Sequence, residues 1–319
     1  MVDVNDNPID INEIQKDYIE YLDSIFKRAF DADPFGTLCT LLRVGGMSYK
    51  NLDPFEESKK AFEDYNWLSQ KAHSERSDIS SLRVALLMYC HAIEMTAPHV
   101  MLANLMRCIA GQSYIIGPFD HLKRSKKNKI YEYIPPSATI KFKEIRKLAS
   151  SIEEKKLVDI IDSFFDNRVR NAFSHSDYII TDDHFRWTEG GLSQEIELDK
   201  LGEKINLCLQ FFGCFMIRHK DWLKAFGSLR RFHKWPQYEV LEILSSKEDG
   251  AFGFNVHFSN GNKATYTRQL SERRAINLTF DQDGRINFMV GNLDALEKIW
   301  KVNGHPVTDW DALEGQYST

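Results

Sequence analysis

The chain has 319 residues, of which 43% are hydrophobic and 27% charged, and its net charge is -5 with an isoelectric point near 6.1. This ordinary composition suggests two or three domains with ample material for a core, and it excludes a generally basic protein that coats nucleic acid. The cysteines show no Cys-x-x-Cys spacing, so neither a disulfide framework nor a zinc site is predicted, and no cofactor is expected. Because the start of the chain is acidic and no apolar run approaches membrane-spanning length, we expect a cytoplasmic protein without a membrane partner.

Residues 1–76 predict a helical N-terminal region. Apolar residues recur at helical spacing from Asp10 to Ala32, and Thr37–Val44 is a short apolar run that ends at Gly45-Gly46. Asp53-Pro54 is typical of a helix start, because an aspartate caps the free amide groups and a proline fits the first turn. This second helix is predicted to continue to about Ala72.

Residues 77–236 predict a helical bundle. Its longest helical stretch, Asp78–Gly111, contains Pro98, which predicts either two helices that meet near Thr96–Pro98 or one sharply kinked helix. His91 and Glu94 are polar residues three apart on one face of this apolar stretch. One interpretation is a hydrogen-bonded pair at the edge of the core.

The stretch 112–137 has no helical period and is the most basic part of the chain. Such a run is either a solvated loop or a surface for single-stranded RNA, because aromatic rings stack on bases while lysine and arginine neutralise phosphates. The candidate RNA-binding residues are Lys123, Arg124, Lys126 and Lys127, with Tyr114, Phe119, Tyr131 and Tyr133 interleaved among them.

After a short helix at Ile140–Ala149, an amphipathic segment begins near Ile152 and ends with Asp166–Tyr178. Its apolar residues keep one helical stripe through Phe164, Phe165, Val169, Ala172 and Phe173, and its other side carries Arg168, Arg170, Asn171 and His175. Arg170 and His175 are five residues apart, about 140° around an ideal helix, so one straight helix cannot aim both at the same small group. Either the helix loosens at Ser174–Ser176, or two copies of the chain bring two such helices together.

The next residues predict a small β insertion and the last bundle helix. Tyr178–Thr181 and His184–Thr188 alternate like the strands of a hairpin, and Ser193–Leu198 is a candidate third strand. Leu198–Arg218 is a strongly apolar helix, and Asp221–Arg231 continues helically.

The character of the chain changes after Gln237. Short alternating or β-branched runs are separated by Asn-Gly and Asp-Gly turns, which predicts a small antiparallel sheet, and a helix at Leu293–Val302 follows it. We therefore expect a small α+β domain at 237–319, in which no chemical motif is recognisable.

The pattern Arg170-Asn171-x-x-x-His175 resembles the Arg-x(4–6)-His motif of the HEPN superfamily, in the version where a polar residue follows the arginine. Helical segments from about Asp78 to Lys220 surround it, as they do in that family. The resemblance implies a mainly α fold, a HEPN-like helical bundle with a small β-hairpin insertion, followed here by the α+β domain. It also implies a homodimer in which paired motifs form a metal-independent ribonuclease site, and a setting in toxin or antiviral-defence systems.

RNA is cleaved without metal when its 2′-hydroxyl attacks the adjacent phosphate. His175 is the candidate general acid and base, because its imidazole exchanges a proton near neutrality. Arg170 is the candidate phosphate clamp, Asn171 the residue that orients the histidine or the phosphate, and Arg168 an additional phosphate contact. In this hypothesis His91 and Glu94 support the site by orienting the catalytic histidine or the RNA.

Other hypotheses remain open at this point. Arg170 can pair with Asp166 on a solvated face, and His175 can simply cap the end of its helix, where a cation is favoured. Some members of the family bind RNA, nucleotides or proteins without cutting, so a non-catalytic module that binds RNA or a regulatory protein partner is the main alternative. A metal-dependent hydrolase that uses Asp159, Asp162 and Asp166 on one helical face is a third hypothesis.

Overall fold

The described part of the chain is mainly helical, as the sequence predicts. The computed structural model describes residues 11–44, 54–75, 78–125, 133–229, 240–257, 263–269 and 272–276, and the pairs 279–280, 286–287, 301–302 and 305–306. Its helices are α1 (Ile11–Ala32), α2 (Pro34–Leu42), α3 (Phe55–Glu75), α4 (Asp78–Glu94), α5 (Thr96–Ile109), α6 (Ala138–Ser151), α7 (Lys155–Phe164), α8 (Asn167–Ser174) and α9 (Leu198–Ser228).

The strands pair antiparallel. Their bounds are β1 (Arg124–Ser125), β2 (Tyr133–Ile134), β3 (Tyr178–Ile180), β4 (His184–Glu189), β5 (Leu192–Glu197), β6 (Val240–Ser246), β7 (Gly250–His257), β8 (Lys263–Gln269), β9 (Glu272–Ile276), β10 (Thr279–Phe280), β11 (Ile286–Asn287), β12 (Lys301–Val302) and β13 (His305–Pro306). A three-stranded sheet follows α8 and has the order β3-β4-β5, and a four-stranded sheet follows α9 and has the order β6-β7-β8-β9, while the other strands form two-residue ribbons.

The predicted break near Pro98 is present as two separate helices, since α4 ends at Glu94 and α5 begins at Thr96. The short apolar run after Thr37 is part of α2, a helix that we did not predict. The Asp33 carboxylate caps α2 by accepting the amide of Gly36 at 2.9 Å, and Pro34 occupies the first turn.

The segment that follows Ile152 is two helices, and the prediction of one continuous helix is wrong. The chain breaks between Phe164 and Asn167, because Asp166 adopts an extended backbone and caps α8 with its side chain. Asp166 therefore lies outside α7, so it does not share a helical face with Asp159 and Asp162 as the metal hypothesis required.

Two further predictions change in the C-terminal part. The predicted helices Leu198–Arg218 and Asp221–Arg231 are joined in α9, which runs without a break to Ser228. Of the predicted helix Leu293–Val302, residues 293–300 lie outside the described residues, and Lys301–Val302 instead pair with His305–Pro306 as strands.

Contacts divide the chain into two units of interleaved segments. Unit 1 contains Met1–Ile25, Glu57–His99 and Leu122–Arg218, and unit 2 contains Phe26–Glu56, Val100–His121 and His219–Thr319. The predicted boundaries at 76 and 236 follow the chain and differ from this division. The physical reason is that α2 packs with the four-stranded sheet.

Unit 2 shows this packing directly. The hydroxyl of Tyr266 in β8 donates to the carbonyls of Leu42 and Arg43 at 3.1 and 3.3 Å, and Phe35 packs edge-on against Phe254. The predicted N-terminal helical region is therefore shared between the two units.

The core of unit 1 is aromatic and holds α8 in place. Phe164 of α7 contacts Phe142 of α6 and Phe211 and Phe212 of α9, with ring centroids 5.7–6.0 Å apart. Val169 and Ala172 of α8 are buried, while Arg168 is exposed and Arg170 and Asn171 are partly covered. No helix in the described part of the chain is both long and apolar enough to cross a membrane.

Candidate functional site

The start of α8 is fixed by a capping carboxylate. The Asp166 side chain accepts the amides of Arg168 and Val169 at 3.0 and 3.5 Å, and it also pairs with the Arg168 guanidinium at 3.3 Å. Asp166 thus pairs with Arg168 and Arg170 pairs with Glu94, so the alternative in which Asp166 pairs with Arg170 is wrong. The Arg168 side chain is half exposed and its guanidinium lies 6.0 Å from the ring centroid of Trp187.

Arg170 lies in the middle of α8 and is held from two sides. One terminal nitrogen donates to Oδ1 of Asn171 at 2.6 Å, and the other pairs with the carboxylate of Glu94 at the end of α4. The side chain of Arg170 is 15% exposed and that of Glu94 is 48% exposed. Nε of Arg170 is buried and has no hydrogen-bond partner among the described residues.

His175 ends α8 and is exposed to solvent. Its backbone amide donates to the carbonyl of Asn171 at 2.9 Å, and the next residue, Ser176, has a left-handed backbone with φ of 57°. Of the two alternatives in the sequence, the loosened helix end is therefore present. Because the helix stops here, the 140° that separates Arg170 from His175 on a straight helix does not fix the direction of the imidazole.

The two supporting residues predicted on α4 have different partners. Glu94 reaches the motif, but it contacts Arg170 rather than His175. His91 contacts α3 instead, with Nε2 3.0 Å from the carbonyl of Ser58 and its ring edge-on to Tyr65 at 5.4 Å. The hydrogen-bonded pair between His91 and Glu94 is not among the contacts of the described residues.

Lys141 and His99 are part of this neighbourhood, and neither residue was predicted from the sequence. Lys141 of α6 is buried, and its ammonium donates to the Thr96 hydroxyl at 3.0 Å at the start of α5. Burial lowers the pKa of Lys141, an effect that the charge of Glu94 opposes. Its sequence signal was a lysine on the buried face of α6, directly before Phe142 and one helical turn before Ile145.

His99 is fully buried, and both of its ring nitrogens lack a hydrogen-bond partner among the described residues. Its ring stands edge-on to Phe142 at 4.6 Å, and burial, aided by the charge of Lys141, lowers the pKa of His99 to about 3. The imidazole is therefore neutral near pH 7, unlike a group that exchanges protons in catalysis.

The basic stretch is only partly described. Arg124 and Ser125 pair with Ile134 and Tyr133 as a short ribbon, and Lys123 and Arg124 are exposed. Lys126 and Lys127 lie outside the described residues. The structure therefore describes two of the four RNA-binding residues predicted in this stretch, Lys123 and Arg124.

Two of the three carboxylates of the metal hypothesis have other partners. Asp162 pairs with Arg146 at 2.6 Å, and Asp166 caps α8. Among the described residues, no group of three or more histidine, cysteine, aspartate or glutamate side chains is arranged to hold a metal ion. What α8 does offer is a fixed guanidinium and, at its end, a solvent-accessible imidazole.

The chain was compared with protein-family models, with curated proteins and with solved structures, and none of them matches it. Its function is therefore argued from the site itself.

Proposed function

We propose that the protein is a metal-independent endoribonuclease of HEPN type that acts as a homodimer. The observation that carries the proposal is the arrangement of α8, an eight-residue helix that holds a guanidinium in its middle and ends on an exposed imidazole. Both groups serve the cleavage of RNA through its own 2′-hydroxyl, because the imidazole moves protons and the guanidinium stabilises charge on the phosphate.

In the proposed reaction the 2′-hydroxyl attacks the phosphorus and the 5′-oxygen leaves. His175 takes the proton of the hydroxyl or gives one to the leaving oxygen, and Arg170 binds the phosphate oxygens on which negative charge develops. Asn171 keeps the Arg170 guanidinium in one orientation through the contact of 2.6 Å. A fixed donor stabilises the transition state without reorganising at the moment of reaction.

The same chemistry supports the homodimer. One imidazole cannot be base and acid on the same phosphate at the same time, and a second copy of α8 related by a two-fold axis supplies the other group. Lys123, Arg124, Lys126 and Lys127 extend the contact along the RNA backbone. The C-terminal sheet domain selects the substrate or binds a regulatory partner, and the setting is cytoplasmic, in a toxin or antiviral-defence system.

A second candidate function is a non-catalytic module that binds RNA or a protein. It is favoured by the partners that Arg170 already has, since Glu94 and Asn171 occupy both terminal nitrogens of a side chain that is 15% exposed. In that case α8 is a structural corner of the bundle, and His175 caps its end.

Incubation with mixed cellular RNA in EDTA separates the two functions. We expect the wild-type protein to cleave and to leave 2′,3′-cyclic phosphate ends, because the 2′-oxygen is the nucleophile. His175→Ala is expected to abolish cleavage, while His73→Ala, which removes another exposed histidine, is expected to leave it unchanged. Intact RNA in a stable complex with the wild-type protein would instead identify the binding module.

A further inference from the structure

Glu94 is the more exposed partner of the ion pair with Arg170. Nearly half of the Glu94 side chain is in contact with water, whereas Arg170 is mostly covered and is also held by Asn171. Rotation of the Glu94 side chain toward solvent therefore breaks the pair while the guanidinium stays in place. An exposed partner of this kind is also held weakly, because water screens the attraction.

The carboxylate of Glu94 interacts with a second cation. Lys141 lies on α6 with its ammonium bound to the Thr96 hydroxyl, and Glu94 attracts this buried charge. Two cations from α6 and α8 thus act on one carboxylate at the junction of α4 and α5. If the carboxylate leaves, both positive charges remain in a poorly hydrated place, which favours another anion.

A phosphate is the anion that suits this place in a ribonuclease. Carboxylate and phosphate present similar oxygen acceptors to a guanidinium, and both form charge-assisted hydrogen bonds with it. A phosphodiester has one negative charge, as the Glu94 carboxylate has, so an exchange of one for the other keeps the local charge balanced.

We propose that Glu94 holds, in the resting protein, the position on Arg170 that an RNA phosphate takes, and that the carboxylate is exchanged for the phosphate when RNA binds. Glu94 then restrains the site, and Lys141 is the second cation that attracts the phosphate. This inference rests on the proposed role of Arg170 as the phosphate contact. The competing role for Glu94, a permanent support that orients Arg170, predicts an effect of opposite sign.

The test is the affinity of the Glu94→Gln variant for single-stranded RNA. The probe is a short fluorescent 2′-O-methyl RNA, which cannot be cleaved because its nucleophile is blocked, and binding is followed by fluorescence anisotropy. Removal of the competing carboxylate is expected to lower Kd by about fivefold, or about 1 kcal/mol. The double variant Glu94→Gln/Arg170→Gln is expected to bind no more tightly than the wild type, because the freed guanidinium is the cause of the higher affinity.

Asp162→Asn is the matched control. It removes one negative charge from another ion pair of unit 1, in which Arg146 is 25% exposed and the aspartate 58% exposed. We expect its Kd to stay within about twofold of the wild-type value, since exposed pairs act weakly and the pair between Glu94 and Arg170 is left intact. If Asp162→Asn raised the affinity for RNA as much as Glu94→Gln does, the change in net charge would explain both variants. That result would overturn the exchange.

A weaker or unchanged affinity of Glu94→Gln also overturns the proposal. If that variant does not fold, Glu94→Asp keeps the charge but shortens the side chain, and the exchange predicts a smaller increase in affinity. Cleavage in EDTA is scored separately on unmodified RNA. If Glu94→Gln binds RNA more tightly but no protein cleaves it, the proposed enzyme is wrong and the exchange is supported. If RNA is cleaved but Glu94→Gln does not bind more tightly, the enzyme is supported and the exchange is wrong.

Discussion

The Tyr89 hydroxyl of α4 accepts a hydrogen bond from the backbone amide of Asp166 at 3.0 Å, at the start of α8. The same hydroxyl donates to the carbonyl of Phe164 at the end of α7, at 2.9 Å. Two backbone groups that the break between α7 and α8 sets free are thus satisfied by one buried side chain from a distant part of the chain. The helix that supplies this hydroxyl also ends on Glu94, so α4 fixes both the start of α8 and the guanidinium in its middle.

Tyr89→Phe is expected to destabilise the protein by about 1–3 kcal/mol, because a buried amide and a buried carbonyl no longer have a partner. The free energy of unfolding in urea measures the effect, and cleavage of RNA is expected to fall with it as α8 loosens. Tyr65→Phe removes a hydroxyl from the half-buried tyrosine that contacts His91, and it is expected to change stability little. Equal stability of the Tyr89 variant and the wild type would show that the hydroxyl does not stabilise the break between α7 and α8.

Asp166→Ala is expected to cost about 0.5–2 kcal/mol, because it removes the N-cap of α8. Asp166→Asn is the matched variant, since asparagine caps a helix about as well but does not carry the charge that Arg168 pairs with. We therefore expect the asparagine variant to retain most of the stability and of the RNA cleavage. If the alanine and asparagine variants are equally destabilised in urea, the ion pair with Arg168 and not the cap holds the helix.

The break before α8 shows where a periodic pattern misleads. Phe164, Phe165 and Val169 continue the apolar stripe across the break, so the period alone indicates one helix. Asp166-Asn167 carried the opposing signal, an N-cap residue just before a helical turn. The same signal is present at Asp33-Pro34, where the start of α2 was not predicted.

Longer-range relationships could not come from local patterns. Glu94 and His91 were predicted to act together because they share a face of one helix. Nothing in the sequence indicates that His91 contacts α3 while Glu94 contacts α8. The motif itself was local, and the structure keeps Arg170, Asn171 and His175 on one short helix. A lysine on an apolar face, such as Lys141, was the one available signal for the second cation.

Stability is expected to depend on pH through His99. Its pKa is about 3 in the folded protein, below the unfolded value of about 6.5, so the unfolded state binds the proton more readily. The free energy of unfolding is then unaffected by this group above about pH 6.5 and falls as the pH drops toward 3, by up to about 1.4 kcal/mol per pH unit. Chemical unfolding at a series of pH values measures the slope.

His99→Phe is expected to flatten this profile, because the group that titrates is gone. Phe142→Leu changes the ring that packs on His99, so it is expected to lower stability by a similar amount at every pH and to leave the slope unchanged. A steep acid limb that persists in the His99 variant would assign the pH dependence to other groups.

The basic stretch that contains Lys123 and Arg124 is expected to contribute affinity for RNA without sequence preference. Lys123→Ala/Arg124→Ala should weaken binding of single-stranded RNA and reduce the salt dependence, by about 0.7 in the slope of log K against log salt for each phosphate that is no longer neutralised. Lys16→Ala/Lys27→Ala removes the same charge from exposed positions of α1 and is expected to leave the slope unchanged. Equal slopes for both double variants would mean that the basic stretch is solvated and does not contact the RNA.

A homodimer in which both motifs act on one phosphate predicts complementation between inactive variants. Arg170→Ala and His175→Ala proteins are each expected to be inactive, but in their mixed dimer one protomer supplies an intact guanidinium and the other an intact imidazole. Water then takes the part of the second imidazole, so the activity of the mixed dimer is expected to be only partial. Partial cleavage in EDTA after unfolding and refolding of the two together is the expected result, and light scattering gives the mass of the species. A mixture that stays inactive despite a dimeric mass would mean that each guanidinium works only with the imidazole of its own chain, which contradicts a site shared between the two protomers.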